Sequence, residues 1–517
     1  VEVSAGDDLH EAPGASVTLK VEVDAADGSA VTGYEWVQTA GVPAEISGAD
    51  TDTLSVTLGD AEAYKEALME ALPTEDRFGV QSINPHALEE GEIAAFEVMV
   101  TTDSGTYSDS VQVIAALPYA INPGILNVPI GVPVLLSGKA QDSYDWTLTA
   151  ASGSAAALDD ASDQYPSFTP DVKGMYTLAE GESGATFDVY AGTWTGTIVG
   201  IDEDGLPVSD TVCTACHNGE IASDQFTTWA RSGHAEILTQ NIDNPNGHWA
   251  LRCASCHSVG YDGSADNGGF DEAIAAEGWE APHGHVGNWA EMVANYPGSA
   301  RLANIQCENC HGPQDSDAHT QAQARQNLSS DICAICHGEP ARHGRYQQWE
   351  ESGHGNLELA IEEATVESRG GFAGHCARCH SGQGFLAWIQ QEDLGQYIQG
   401  AEGNATEEEM IALGLTNDTV QAVTCVVCHD PHDVGKSSGE PNTATVRIDG
   451  NTPMLPAGFK ALGVGRGALC MTCHNSRNGE RNDVAQPVAD DRAPHTASQA
   501  DVLMGQNAYF VSVGERS

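Results

Sequence analysis

Between Cys213 and His474 the chain writes Cys-x-x-Cys-His seven times, and those copies use all 14 of its cysteines. They are Cys213, Cys216 and His217; Cys253, Cys256 and His257; Cys307, Cys310 and His311; Cys333, Cys336 and His337; Cys376, Cys379 and His380; Cys425, Cys428 and His429; and Cys470, Cys473 and His474. Disulfide frameworks and zinc sites also use Cys-x-x-Cys pairs, but neither asks for a histidine after every pair. With 19 histidines in 517 residues, seven such placements do not arise by coincidence. The pattern is the attachment signature of c-type haem. Two thiols form thioethers to the porphyrin, and the adjacent imidazole is presented to the iron as proximal ligand. Seven haem c groups are expected, and no thiol is left for other chemistry.

Successive first cysteines lie 40, 54, 26, 43, 49 and 45 residues apart. So little chain per large planar cofactor predicts porphyrins as the core of this region, with short helices set in irregular backbone. Helices are expected around Gln225 to Arg231, Ala273 to Glu277, Gln347 to Glu351 and Glu407 to Leu413.

Charge bounds the surroundings. Lys and Arg total 21 against 75 Asp and Glu, a formal net charge of −54, to which haem propionates would add. Such a surface repels nucleic acid and anionic lipid; it suits a salty medium or a cationic partner. No apolar run reaches the ~20 residues of a membrane span, and no signal-like segment precedes Val1, so a mature secreted chain is expected, extracellular or on the cell surface.

Before residue 193 there is no cysteine and the apolar pattern has a period of two. Val17, Leu19, Val21 and Val23 alternate with polar residues, followed by Tyr34 to Trp36, Leu54 to Leu58, Phe96 to Val100 and Val111 to Val113. Glu62 to Leu72 reads as an inserted helix. A second set follows after Pro118: Val132 to Leu136, Tyr144 to Trp146, Phe168, Met175 to Thr177 and Phe187 to Val189. Short alternating runs between Gly, Asp and Pro turns predict antiparallel β-sandwiches. The repeated aromatic-x-Trp strand resembles the polycystic-kidney-disease-type, immunoglobulin-like modules of microbial surface proteins, and Trp36 and Trp146 are expected to fill the two cores. The chain thus reads as multidomain: an Ig-like sandwich over 1–117, a smaller Ig-like module over 118–192, and a heptahaem c-type cytochrome domain over 193–517.

The sixth position of each iron separates a carrier from an enzyme, because a second imidazole closes it whereas an open site admits substrate. Ten non-motif histidines in the haem region are distal candidates for seven irons. Trp229-x-x-Ser232-Gly233-His234 and Trp349-x-x-Ser352-Gly353-His354 are one phrase written twice, which surface histidines would not require. His319 follows the third motif, His432 lies three residues past a proximal histidine, and His375 directly precedes Cys376. His248, His343 and His495 are further candidates, as are His283 and His285 in a Pro-His-Gly-His loop. Met454 is expected to pack.

Cys307-Glu-Asn-Cys-His-Gly-Pro, Cys425-Val-Val-Cys-His-Asp-Pro-His, Cys470-Met-Thr-Cys-His-Asn-Ser-Arg and Ala493-Pro-His495 with Gln499-x-Asp501 resemble the extracellular multihaem c-type cytochromes of metal-respiring bacteria and related archaea. The resemblance implies bis-histidine haems stacked into a wire. Its partners would be other redox proteins and extracellular acceptors such as minerals, electrodes or cells. Some members of that class polymerise into filaments with one iron ligated across the subunit boundary, a role that His10 could take by analogy, although its ordinary reading is an exposed histidine in a polar leader. Relatives commonly continue past the Pro-His-x-x-x-Gln-x-Asp phrase, which leaves proteolytic maturation an open hypothesis here. An electron carrier is the leading expectation; the alternative is a multihaem reductase of the tetrathionate, nitrite or hydroxylamine type with one open haem site.

Overall fold

The computed structural model describes residues 1–6, 9–11, 13–26, 28–60, 63–64, 78–80, 94–115, 125–209, 211–246, 249–262, 265–315, 327–338, 344–432, 446–456, 459–475 and 499–504. The helix expected from Glu62 to Leu72 lies outside them except for Ala63 and Tyr64.

The first module contains β1 (Glu2–Ser4), β2 (Leu9–Glu11), β3 (Ser16–Lys20), β4 (Glu22–Asp24), β5 (Val31–Ala40), β6 (Glu45–Ser47), β7 (Thr53–Thr57), β8 (Gly79–Val80), β9 (Ala94–Thr102) and β10 (Thr106–Ala115). One sheet has the order β2-β10-β9-β5 and another β3-β7-β6. β2 runs parallel to β10, and the remaining pairs of these two sheets are antiparallel. Alternate residues turn inward as the period requires: Leu54, Val56, Phe96, Val98, Val100, Val111 and Val113 are buried and share one apolar cluster. The run from Val17 to Val23 is not a single strand. It breaks at Val21, so that β3 pairs with β7 while β4 pairs with β1.

The second module repeats the plan with β11 (Asn127–Pro129), β12 (Val134–Ser137), β13 (Trp146–Thr149), β14 (Ser167–Phe168), β15 (Gly174–Glu180) and β16 (Thr186–Gly192). Its main sheet is β11-β16-β15-β13, again with the first strand parallel to the last. The two tryptophans are structurally equivalent. Each indole N–H donates across the sandwich, Trp36 to the Thr51 carbonyl and Trp146 to the Asp163 carbonyl, both at 3.1 Å. Their backbone amides donate to the Ala49 and Ala161 carbonyls at 2.8 and 2.9 Å. Tyr176 closes a tyrosine corner, its hydroxyl donating 2.9 Å to the Val172 carbonyl four residues upstream. Strand order and these internal marks make both modules Ig-like sandwiches.

β8 pairs with β12, with Val80 opposite Leu136 and Gly79 opposite Ser137, so chain from within the first module adds a strand to the second. Phe78 meets Trp146 edge-on at 5.8 Å. The apolar cluster accordingly runs through both modules.

The chain forms two compact units: Val1–Gly200 with Ile237–Asn327 and Asp331–Gln348, and Ile201–Glu236 with Leu328–Ser330 and Trp349–Ser517. These do not follow a cut at 192/193, because the third motif docks directly onto the second module. Gly312, at φ +72°, lies so close to the Asn127 carbonyl that a Cβ there would sit 1.9 Å from its oxygen. The Asn127 amide donates to the Pro313 carbonyl, and Lys173 pairs with Asp315.

The second unit holds an ordinary side-chain core, contrary to the expectation that porphyrins alone fill this region. Helices Leu357–Ala364, Ala373–His380, Gly382–Ile389 and Glu407–Ala412 enclose Ala364, Ala377, Phe385, Trp388, Ile398 and Met410. Local signals set their ends: Asn356 caps the first at the Leu359 amide, and Thr406 and Glu409 form a reciprocal capping box on the last. The expected helices are found at Phe226–Trp229, Phe270–Glu277, Arg345–Glu350 and Glu407–Ala412. Met454 does not pack as expected; it is 46% exposed, and its neighbour Leu455 is buried in its place.

Candidate haem attachment sites

Every Cys-x-x-Cys-His motif is built on a helical turn. Helices Thr211–Thr214, Ala254–His257, Cys307–His311, Asp331–His337, Ala373–His380, Cys425–Cys428 and Gly467–Cys473 carry them. The histidine amide donates back to the first cysteine's carbonyl at 3.0 Å for His217, 2.9 Å for His429 and 2.8 Å for His474. A cysteine at position i, another at i+3 and a histidine at i+4 share one face of such a turn. In six motifs the opposite face enters protein: Ala254, Glu308, Ala334, Ala377 with Arg378, Val427, and Met471 with Thr472 are buried. None of the 14 cysteines is fully buried.

This donor set fits covalent haem. Thiols and imidazole lie along one accessible side of a turn whose other side is fixed, the presentation that two thioethers and an axial bond require. Two buried polar atoms beside motifs, Trp249 Nε1 next to His257 and Thr424 Oγ1 next to Cys425, have no hydrogen-bond partner among the described residues. Burial pushes the Cys310 thiol up to about 11, and burial together with the neighbouring Cys470 and Cys425 pushes the Cys428 thiol likewise to about 11. Among the described residues no three His, Cys, Asp or Glu side chains converge as a cluster able to hold a bare metal ion.

Motifs distant in sequence abut in space. In the first unit Cys336 Sγ lies 3.8 Å from the Cys256 carbonyl, and Cys256 Sγ lies 4.0 Å from the Ile335 carbonyl. In the second unit the Cys473 thiol is pushed up first by its contact with Cys379, then by burial and by Cys428 and Cys470. The second and fourth motifs are thus neighbours, and the seventh lies against the fifth and sixth.

Buried polar side chains hold the motifs in place. Glu308, inside the third, accepts from the Thr195 amide and hydroxyl, the Gly196 amide at 2.7 Å and the Gln314 amide at 2.7 Å. Burial raises its pKa against the lowering effect of those bonds. Arg378, inside the fifth, is 2% exposed. Its Nε donates to the His375 carbonyl at 2.9 Å and its Nη1 to the Gln396 carbonyl at 3.0 Å, and its guanidinium lies 5.2 Å from the Trp388 ring centre and 5.6 Å from that of Tyr397. Neither residue is singled out by the motif, whose intervening positions are free to vary. The only sequence signal is a charge at a position facing protein.

The distal candidates divide. His354 stands against His474, with ring centres 6.0 Å apart and planes at 83°. His234 is largely enclosed, and that burial lowers its pKa. His375 Nδ1 lies 2.9 Å from Arg378 Nη2. A guanidinium only donates, so Nδ1 accepts and the neutral ring carries its proton on Nε2, a tautomer that must change before Nε2 binds a metal. His432 lies beside Asp430, which Arg447 holds at 2.7 Å. Burial is the first cause lowering the pKa of His432. His283 and His285 are exposed in a loop tied by Asn288, whose amide side chain donates to the His283 carbonyl at 2.9 Å. His248, His319, His343 and His495 lie outside the described residues, as does the side chain of His10.

No family model matches the chain, and no curated protein does. Among solved structures it is similar to the PKD domain of the KIAA 1837 protein, at 18% identity over 22% of this chain and 83% of that one, with a TM-score of 0.15. It is similar also to the D00-D0 domain of intimin, at 11% identity over 37% of this chain and 95% of that one, with a TM-score of 0.16. A third is the titin Ig tandem A164-A165, at 12% identity over 36% and 90%, with a TM-score of 0.14. Likenesses at this level add nothing to the Ig-like assignment, which rests on the modules' own strand order.

Proposed function

We propose that this chain is an extracellular electron carrier that holds seven c-type haems and passes electrons along them, with the Ig-like modules as non-redox structure. The observation that carries the reading is the shared geometry of the motifs: seven helical turns presenting two thiols and an imidazole, six of them anchored by a buried opposite face. The fourteen cysteines would hold the macrocycles, and His217, His257, His311, His337, His380, His429 and His474 would be the proximal ligands. When bound, each haem supplies one reversible ferric/ferrous step. The protein's part is to fix each group in place, exclude water with the packed face of each turn, and bring motifs close enough for electrons to pass. The abutting second and fourth motifs, and the seventh against the fifth and sixth, support that role.

Bis-histidine ligation and a net charge of −54 both favour the ferric state, so low midpoint potentials are expected. Partners would be other redox proteins, minerals, electrodes, cells or further copies in a filament. Among the described residues no helix is long and apolar enough to cross a membrane. Absorption and electron paramagnetic resonance spectra of the oxidised protein test the proposal. Uniformly low-spin haem supports the carrier, whereas a high-spin, ligand-exchangeable fraction in the wild type would replace it with a reductase.

A further inference from the structure

Resting on the seven-haem reading, we infer that His354 and His474 are the two axial ligands of one iron, that of the haem carried by Cys470 and Cys473. Two imidazoles on opposite sides of one metal, each bound at about 2.0 Å, place their ring centres about 6 Å apart. The observed separation is 6.0 Å, between rings from chain segments far apart in sequence.

Each ring is held from behind. His474 Nδ1 lies 3.3 Å from Gln499 Oε1, which only accepts, so the proton sits on Nδ1 and Nε2 keeps its lone pair for a metal. The Ala500 amide donates 2.9 Å to the His474 carbonyl and fixes the same segment. His354 is set by the phrase that contains it. The Ser352 hydroxyl takes the His354 amide at 3.2 Å, and the His354 carbonyl accepts from the Val423 amide at 3.1 Å. Trp349 Nε1 donates 2.8 Å to the Val423 carbonyl. The tryptophan and the histidine of this Trp-x-x-Ser-Gly-His phrase therefore clip both backbone groups of Val423. A simple edge-to-face contact between two imidazoles would need neither the clip nor the Gln499 acceptor.

The experiment uses the full-length haem protein. Pyridine haemochrome content and spin state are measured for the wild type, His354→Ala, His354→Met, and a Cys470→Ala/Cys473→Ala variant with and without His354→Ala. The pairing predicts that His354→Ala keeps all seven haems while one of the seven turns high-spin, and that added imidazole restores it. His354→Met, which retains a sixth ligand, raises a single midpoint potential. In the background without the seventh attachment site, His354→Ala changes nothing further. Seven low-spin haems in His354→Ala, with no shifted midpoint in His354→Met, would overturn the pairing, as would a high-spin haem that persists in that background. A wild type with no covalent haem would instead overturn the multihaem reading itself.

Discussion

Glu308 ties the third Cys-x-x-Cys-His motif to the segment that leaves the second Ig-like module, and replacing it with glutamine should loosen that joint without altering the proposed haem ligands. Oε1 takes the Thr195 hydroxyl at 3.1 Å and the Gln314 amide at 2.7 Å, while Oε2 takes the Gly196 amide at 2.7 Å and the Thr195 amide at 3.0 Å. A glutamine keeps one acceptor oxygen. Its best placement satisfies Gln314 and Thr195 Oγ1 and turns an NH2 group toward the Gly196 N–H, leaving a buried donor orphaned. Gly196 cannot retreat, because a Cβ there would already lie 2.3 Å from the Arg301 carbonyl oxygen. One orphaned buried donor costs about 1–3 kcal/mol, and the opposed donors add to it, so Glu308→Gln should cost about 2–4 kcal/mol. For a unit of this size that lowers the melting temperature by about 3–6 °C. Far-UV circular dichroism melts would report the loss, and limited proteolysis should open new cleavage between residues 193 and 197. Haem content should hold, since Cys307, Cys310 and His311 are untouched. A melt within about 1 °C of wild type and no new cleavage would refute the reasoning.

Burial alone would push the Glu180 carboxyl up, but hydrogen bonds from Ser183 and the Asp145 amide outweigh it and hold its pKa at about 2, against 4.5 ordinarily. That depressed value contributes stability above pH 4.5 that is lost as pH falls toward 2, so Glu180→Gln should cost about 2–3 kcal/mol near neutrality and nothing near pH 2. Denaturant melts across that range check the sign. Arg378→Lys cannot reproduce a fork that reaches His375 and Gln396 together, and should destabilise the second unit by about 2–3 kcal/mol in chemical unfolding. Because the net charge is −54, stability and self-association should both rise from ~10 mM to 1 M salt, as melting and light scattering would show.

The motifs stand out in the sequence because the chemistry proposed for them is local: three residues within five positions would serve one macrocycle. The sandwich strands were legible from their period of two, and Trp36 and Trp146 from their repeated setting. What sequence could not show is pairing across distance. β8 is two residues long and has no period of its own, so its place beside β12 leaves no trace in the pattern. Val21 satisfies the alternation of its neighbours yet lies at the break between strands of two sheets, a tertiary choice. The core around Phe385 and Trp388 was missed because the mean spacing of motifs hides the longer interval between Cys376 and Cys425, which has room for two further helices. His354 stood out by its repeated phrase, but only the fold brings it to His474.

The account stands on covalent haem at all seven motifs, and intact mass measurement of the purified protein tests this most directly. It predicts seven additions of ~616 Da that survive denaturation, each mapping after digestion to a peptide bearing one Cys-x-x-Cys-His. An intact mass equal to that of the bare chain, or motif cysteines recovered as disulfides or free thiols, would contradict it.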